Sequence, residues 1–168
     1  RQRQMCIRDS YPSYIYRGYK SHGWEGGHRI PFILSWGDRY GHVTDNSLVS
    51  LTDLYATFAD MLGYRTADDE AEDSFSFWPI LDGSGSSART DLIATSGAGY
   101  FTYRTPQYKL IFNAGNGSGD EYRIDGQPPL QFYDMVSDPE EKVNRIDDPE
   151  YAGRIREMAA RVKKYIED

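Results

Sequence analysis

The residues of this chain with the clearest chemical potential lie in a glycine-rich stretch around Lys20. Gly18 and Gly23 flank this lysine, and His22 lies two residues after it. Glycine permits left-handed backbone conformations and a close approach of other groups to the main chain. A cation held on such a loop is suited to binding a small anion. The stretch therefore predicts an anion-binding loop, with Lys20 pointing into an open concave site and not into bulk solvent.

A second group of residues follows the lysine and is typical of residues that hold a loop in shape. Glu25 precedes the pair Gly26 and Gly27, and Arg29 comes two residues later. We expect Glu25 to accept hydrogen bonds that shape the loop, with Arg29 as its partner. The alternative is that Glu25 acts as a general base. The two glycines are predicted to be structural members of the same loop.

Aromatic and histidine side chains near the lysine leave two interpretations open. His22 could face a leaving group or a sugar, or it could be a hydrogen-bonded structural histidine. Tyr19 is a candidate substrate-binding residue. Together with Tyr11, Tyr14 and Tyr16 it could line a sugar or aryl pocket, although strand packing explains such tyrosines equally well. The remaining histidines are predicted to be structural or exposed: His28 and His42.

The elements that position these residues are predicted from hydrophobic periodicity. The continuous apolar run Phe32-Ile33-Leu34 predicts a strand within 31–36 that is covered on both faces. Apolar residues at three- and four-residue steps predict a helix over 47–62, which Gly63 ends. Its first turn is predicted to be capped by one of three polar residues: Asp45, Asn46 or Ser47.

Beyond residue 87 the pattern predicts a small antiparallel sheet and a closing helix. The helix covers 149–167, with Pro149 at its first position and Asp147 or Asp148 as its cap. The predicted strands cover 91–95, 100–104, 108–113 and 131–134, and the predicted buried stripe of the helix is Tyr151, Ile155, Met158, Val162 and Tyr165.

Composition excludes several classes of partner. The chain has 168 residues and a net charge of −7, which argues against nucleic acid, because such binding rests on neutralised phosphates. No apolar run approaches the roughly 20 residues needed to cross a bilayer, so no membrane partner is expected. Cys6 is the single cysteine and cannot build a disulfide framework. The acidic segment 66–74 is interpreted as a solvated loop rather than a calcium site, because it lacks the glycine of calcium loops.

The stretch around Lys20 closely resembles the lysine signature of type I sulfatases of the alkaline phosphatase superfamily. The resemblance implies that Lys20 contacts the sulfate group, a role that suits a compact point charge with three donors. It assigns loop-shaping roles to the residues that follow. The matching string is Gly18-x-Lys20, then Trp24-Glu25-Gly26-Gly27-x-Arg29-x-Pro31.

The resemblance continues to the end of the chain and covers about residues 11–168. It implies an α/β, alkaline phosphatase-like sulfatase fold in its C-terminal part. That part comprises the end of a large mixed-sheet domain and a small antiparallel-sheet subdomain with a C-terminal helix. The matching residues in the second half are Phe132-Tyr133-Asp134, Asp138-Pro139-Glu140-Glu141 and Asn144.

The resemblance also suggests how the chain is organised. Residues 1–10 have no periodicity, do not match the family and are predicted to be non-native. Residues 11–87 are assigned to the C-terminal part of the catalytic domain, ending in a Gly/Ser linker at 82–87. Residues 88–168 are assigned to a small C-terminal α+β subdomain.

Two components of sulfatase chemistry are absent from this sequence. No Cys/Ser-x-Pro-x-Arg motif, from which a formylglycine nucleophile is made, occurs after Tyr11. No Asp-Asn-Gly or Asp-His-Gly metal motif precedes the lysine. The resemblance therefore implies that formylglycine and Ca²⁺ with its ligands belong to a missing N-terminal part. No residue of this chain is assigned as a metal ligand.

The sequence thus predicts the C-terminal fragment of a sulfatase that hydrolyses aryl or carbohydrate sulfate monoesters. The fragment alone is expected to be inactive. One alternative is a phosphodiesterase or phosphonate monoester hydrolase of the same superfamily, and another is a non-catalytic sulfatase-like binding module. The family often includes exported proteins, so the resemblance permits a periplasmic, secreted or lysosome-like location without choosing one.

Overall fold

The structure is a computed structural model, and it describes residues 13–37, 44–67, 69–118 and 128–167. The chain divides into two compact units, one formed by Arg1–Ile30 with Ile93–Asp168 and the other by Pro31–Leu92. Several predictions fall outside the described residues: the non-native segment 1–10, Cys6, Tyr11 and His42. The predicted assignment of 11–87 and 88–168 to two subdomains of a sulfatase stays a prediction.

A four-stranded sheet lies in the described part of the chain, with the order β1-β2-β3-β4. The pairs β2–β3 and β3–β4 are antiparallel, with Leu110 opposite Tyr103 on one side and Phe132 on the other. The predicted strands are confirmed to within two residues at each end. Their bounds are β1 Leu92–Thr95, β2 Phe101–Arg104, β3 Tyr108–Ile111 and β4 Gln131–Asp134.

The described residues also form helical segments that differ widely in length. Two 3₁₀ turns, Leu51–Asp53 and Pro149–Tyr151, lead directly into α-helices. The α-helices are α1 Glu25–His28, α2 Leu54–Met61, α3 Trp78–Leu81 and α4 Ala152–Glu167.

Helix α4 covers the sheet with most of its predicted stripe, but Tyr165, predicted to be buried, is 44% exposed. The Asp148 carboxylate accepts a hydrogen bond from the Glu150 amide at 3.1 Å, which caps the start of the preceding 3₁₀ turn. Met158 and Val162 are buried against a core that also contains Tyr103, Leu110 and Phe132. Burial of each such apolar side chain contributes about 1.5–3 kcal/mol.

The start of the helix predicted over 47–62 is wrong, whereas its end is confirmed. The segment begins with the 3₁₀ turn at Leu51, and Ser50 is the cap residue. Ser50 and Asp53 form a reciprocal capping box, which satisfies two backbone donors where the predicted cap at 45–47 offers one. Gly63 ends the helix with a left-handed φ of 69°.

The strand predicted over 31–36 is also wrong. These residues form neither strand nor helix, and their large apolar side chains are exposed, with Ile33 at 89%. A strand requires a neighbour for its backbone hydrogen bonds, and no strand in the described ranges pairs with this segment. The apolar run therefore has the composition of a buried strand without the partner that would make it one.

Candidate functional site

Lys20 lies at the tip of a tight backbone turn. We call residues 17–28 the lysine loop. Gly18 and Ser21 on either side of Lys20 have left-handed φ values of 84° and 79°. The turn is closed by the His22 amide, which donates to the Tyr19 carbonyl at 3.0 Å. A left-handed conformation costs a non-glycine residue about 1 kcal/mol or more, so Ser21 adopts it only because its surroundings hold it there.

The side chain of Lys20 is exposed and forms no hydrogen bond or ion pair with the described residues. Its backbone is nevertheless held on both sides. The Ser13 hydroxyl donates to the Gly18 carbonyl at 2.8 Å. The Gly97 amide donates to the Ser21 carbonyl at 2.7 Å. An unpaired ammonium on a restrained turn is free to bind an anion, and the role of Lys20 in sulfate binding stays a prediction.

The double glycine closes the lysine loop on itself. The Gly26 amide donates to the Arg17 carbonyl at 2.8 Å. A Cβ atom on Gly26 would overlap the carbonyls of Arg17 and Gly18, and one on Gly27 would overlap the carbonyl of His22. Both positions need glycine because two stretches of backbone approach each other there, and not because of a left-handed φ.

His22 is a buried histidine within the loop. Its ring packs on Tyr19 at 3.9 Å and edge-on to Trp24 at 5.4 Å between ring centroids. Burial lowers the pKa of His22, which favours the neutral imidazole. The role of His22 stays a prediction, and its Nε2 atom has no hydrogen-bond partner among the described groups. The Tyr19 side chain is more than half exposed, and its substrate role stays a prediction.

Glu25 forms ion pairs with three basic residues, among them its expected partner Arg29. It lies in the first turn of α1 and is buried, and the Arg29 Nε donates to its carboxylate at 2.8 Å. Lys109 on β3 donates to the same carboxylate at 3.0 Å, and Arg104 on β2 lies 3.4 Å from it. Burial alone would raise the pKa of Glu25, but Lys109 and Arg104 together hold it down to about 2.

Glu141 completes this cluster from a turn after β4. Its carboxylate accepts the Glu25 amide at 2.7 Å and lies 3.0 Å from the Lys109 ammonium. Lys109 donates a hydrogen bond to Glu25, whereas its contact with Glu141 is an ion pair without hydrogen-bond geometry. Burial raises the pKa of Glu141 even though Lys109 opposes that change. Two buried carboxylates therefore share one lysine, and Glu141 is the less stabilised anion of the two.

Arg17 anchors the other end of the lysine loop. Its Nη1 atom donates to the Glu141 carbonyl at 2.9 Å and to the Tyr133 hydroxyl at 3.2 Å. Its guanidinium lies 3.8 Å from the centre of the Trp24 ring, a cation–π contact. The Trp24 indole in turn donates to Gln131 at 2.9 Å. The aromatic residue before Glu25 is thus part of the anchor.

A groove of about 740 Å³ lies beside this anchor. Two of the four tyrosines that the sequence offers as pocket residues, Tyr14 and Tyr16, line this groove. Lys20 is not among them. The predicted concave surroundings of Lys20 are therefore not provided by this groove. Its complete lining is Tyr14, Ile15, Tyr16, Arg17, Glu140, Glu141 and Lys142.

Sequence reasoning did not assign Lys109, Arg104 or Glu141 to the site. Lys109 lies within an apolar strand and is only 1% exposed, so its position in the pattern was a usable signal. A lysine so placed needs a buried anion, although no pattern within the strand identifies Glu25 as that partner. Glu141 was recognised only as part of a family motif, without a role.

The described residues do not fit a calcium site. No group of three or more His, Cys, Asp or Glu side chains that could hold a metal converges within 13–37, 44–67, 69–118 or 128–167. Across the same ranges, none of the helices has the length and apolar character of a membrane span.

Comparisons with known proteins agree on one family. The chain is 33% identical over 141 residues to an arylsulfatase of Hemicentrotus pulcherrimus, covering 82% of this chain and 25% of that protein. It is 29% identical over 157 residues to the N-acetylgalactosamine-6-O-sulfatase of Bacteroides thetaiotaomicron, covering 90% of this chain and 30% of that protein. No family model matches the chain.

A solved structure from Bacteroides thetaiotaomicron, reported for the metabolism of multiple glycosaminoglycans, shares the fold. Its TM-score is 0.81 at 25% identity, and the match covers 99% of this chain and 35% of that one. The chain belongs to the sulfatase family. Its fold corresponds to the C-terminal part of the α/β sulfatase fold. It spans about a quarter to a third of the length of the relatives it matches.

Proposed function

We propose that this chain is part of a longer sulfatase that hydrolyses sulfate monoesters, and that Lys20 binds the sulfate group. The observation that carries the proposal is the exposed ammonium of Lys20, which has no partner among the described residues and lies on a backbone turn restrained from both sides. Sulfate-ester cleavage develops negative charge on oxygen, and a fixed cation placed there stabilises the transition state. Lys20 has the charge and the donors for this task.

The remaining chemistry is assigned to residues outside the described ranges. In the family pattern a formylglycine supplies the nucleophile and Ca²⁺ helps to neutralise the sulfate. The described residues do not fit a calcium site, so no catalytic step through either group is derived from this chain. We propose that both come from another part of the longer protein.

The proposed substrate class is an aryl or carbohydrate sulfate. The relatives include an arylsulfatase and a sulfatase named for N-acetylgalactosamine-6-O-sulfate. Sulfated sugars carry hydroxyls and a flat apolar ring face, and tyrosines suit such ligands because they offer both an apolar ring and a polar hydroxyl. Tyr19 is the exposed aromatic residue beside Lys20 and is the candidate for this contact.

The test is sulfate release by the longer protein, with 4-nitrophenyl sulfate and N-acetylgalactosamine 6-sulfate as substrates. Lys20→Ala is expected to lower kcat/KM by about 100-fold or more, as for other single donors to transition-state charge. Lys20→Arg is also expected to be impaired, because a planar fork does not replace a compact ammonium. Lys142→Ala is the matched control, since it removes another exposed lysine. Unchanged kcat/KM in a folded Lys20→Ala protein would remove Lys20 from the site.

The same assay separates the alternatives. A phosphodiesterase or phosphonate hydrolase would prefer bis(4-nitrophenyl) phosphate or a phosphonate monoester over both sulfates. A binding module would turn over none of these substrates, and the sequence preceding this chain in the gene would lack a Cys/Ser-x-Pro-x-Arg motif. The 168-residue chain alone is expected to be inactive, because Lys20 without a nucleophile supplies charge stabilisation only. Robust turnover by that chain would contradict the proposal.

A further inference from the structure

Both ends of the lysine loop are attached to one residue, Glu141. At the start of the loop, Arg17 donates to the Glu141 carbonyl at 2.9 Å. Near its end, the Glu25 amide donates to the Glu141 carboxylate at 2.7 Å. These partners lie 124 and 116 residues from Glu141 in sequence, and Lys20 lies between them. The two bonds join the ends of the turn that carries Lys20.

Glu141 is itself fixed in place. Its side chain is 0% exposed, and its amide donates to the Asp138 carbonyl at 3.1 Å. The Asp138 carboxylate accepts the amides of Lys142 and Val143, at 3.1 and 2.8 Å, which closes the turn from the other side. This turn follows β4 directly, so the attachment point of the lysine loop is continuous with the sheet.

The backbone of Glu141 points to a role for its side chain. Its φ is 55°, in the left-handed region, where glycine would be unstrained. A buried glutamate at such a position combines backbone strain with the desolvation of a carboxylate. A residue that costs stability in two ways is explained if its carboxylate does something that glycine could not do. The contact that only its side chain makes is the one with the Glu25 amide and Lys109.

We propose that Glu141 is a positioning residue, which holds the two ends of the lysine loop together and so sets the place where the Lys20 ammonium meets a sulfate group. The inference rests on the proposed function for its catalytic consequence, but the attachment of the loop to Glu141 does not depend on it. Lys109 assists because its ammonium lies 3.0 Å from the carboxylates of both Glu25 and Glu141.

The main variant for the test is Glu141→Gly. It removes the carboxylate and relieves the left-handed strain, and Lys109 keeps Glu25 as its partner, so the fold is expected to survive. Arg17→Met is the second variant, because it loosens the other end of the loop at an exposed position. Glu140→Gln is the matched control, since it alters the neighbouring carboxylate, whose ion pair with Lys142 lies at the surface.

The first measurement is amide hydrogen exchange of residues 18–24, which needs no activity. Glu141→Gly and Arg17→Met are expected to speed exchange in this segment by about 10-fold or more, whereas Glu140→Gln leaves it unchanged. Exchange in the β2–β3 pair serves as an internal reference for global stability. Equal protection of residues 18–24 in Glu141→Gly and Glu140→Gln would overturn the inference, whatever the enzyme assay shows.

The second measurement is a double-mutant cycle with Lys20→Ala in the longer protein, by sulfate release. Glu141→Gly is expected to lower kcat/KM by about 10-fold or more, because misplacement of a catalytic group by about 1 Å has effects of this size. In the Lys20→Ala background the same change is expected to cost less than about 2-fold, because Glu141 acts through Lys20. Additive losses would assign Glu141 a general structural role and refute the positioning. If Lys20→Ala is itself without effect, the proposed function fails separately.

Discussion

Each of the two units contains a buried ion cluster, and the two clusters are built on different principles. In the unit Pro31–Leu92, Arg89 and Asp53 form a two-pronged pair, with N–O distances of 2.8 and 2.6 Å. Arg89 also donates to the carbonyls of Asp73 and Asp91, at 2.7 and 3.0 Å. Asp53 accepts the amides of Ser50 and Phe75 in addition. One cation and one anion thus satisfy each other and the surrounding backbone.

The cluster around the lysine loop is less balanced. Lys109 serves two carboxylates, and Oε1 of Glu141 has no hydrogen-bond partner among the described groups. The two carboxylates respond in opposite ways, because the pKa of Glu25 is held down to about 2 while burial raises that of Glu141. The first cluster connects separate segments of one unit by hydrogen bonds and an ion pair. The second attaches the lysine loop to the sheet, and it includes a residue with a strained, left-handed backbone, Glu141.

The largest loss of stability is expected when the Arg89–Asp53 pair is broken. Arg89→Met leaves the Asp53 carboxylate buried without its cation and removes the bonds that Arg89 donates to the carbonyls of Asp73 and Asp91. Loss of one partner of a buried pair costs about 3–5 kcal/mol. The measurement is the free energy of opening of α2 by native-state hydrogen exchange, since this reports on the unit that contains the pair. A loss below about 1 kcal/mol would show that backbone donors alone satisfy Asp53.

Lys109→Met is expected to cost less, about 2–3 kcal/mol near neutral pH, because Glu25 keeps its arginine partners and Glu141 can take up a proton. The cost is also expected to fall with pH. Lys109 lowers the pKa of both carboxylates, so its contribution is present while they are ionised and is lost as they become protonated.

For Glu25, that contribution is complete above about pH 4.5 and disappears as the pH falls towards about 2. Glu141 differs because its raised pKa means that its ionised form destabilises the fold at higher pH. The measurement is hydrogen exchange of β3 amides in wild type and Lys109→Met, at about pH 7 and about pH 4. A difference that is equal at both pH values would contradict the sharing of Lys109 by two titrating carboxylates.

Local contacts in this molecule could be predicted from sequence, and distant ones could not. Glu25 and Arg29 lie only four residues apart, and Arg29 is the partner that the sequence predicts for Glu25. Lys109 reaches Glu25 from 84 residues away, and no pattern within the strand identifies that partner. The apolar run at 31–36 shows the converse, because a strand depends on a neighbour that composition alone cannot supply.

The smallest loss of stability is expected for the surface ion pair of Lys142 and Glu140, the two residues on either side of Glu141 in sequence. Lys142 and Glu140 lie 2.7 Å apart, a shorter distance than either carboxylate contact of Lys109. The Lys142 side chain is 66% exposed, so water and salt screen the pair, and ordering two long side chains offsets what remains. Lys142→Ala is therefore expected to change Tm by at most about 2 °C in thermal unfolding followed by circular dichroism. A fall in Tm as large as that of Lys109→Met would mean that proximity, and not burial, determines what an ion pair contributes here. The same result would also undermine the contrast between the two buried clusters, because that contrast assumes that desolvation makes an unmatched charge costly.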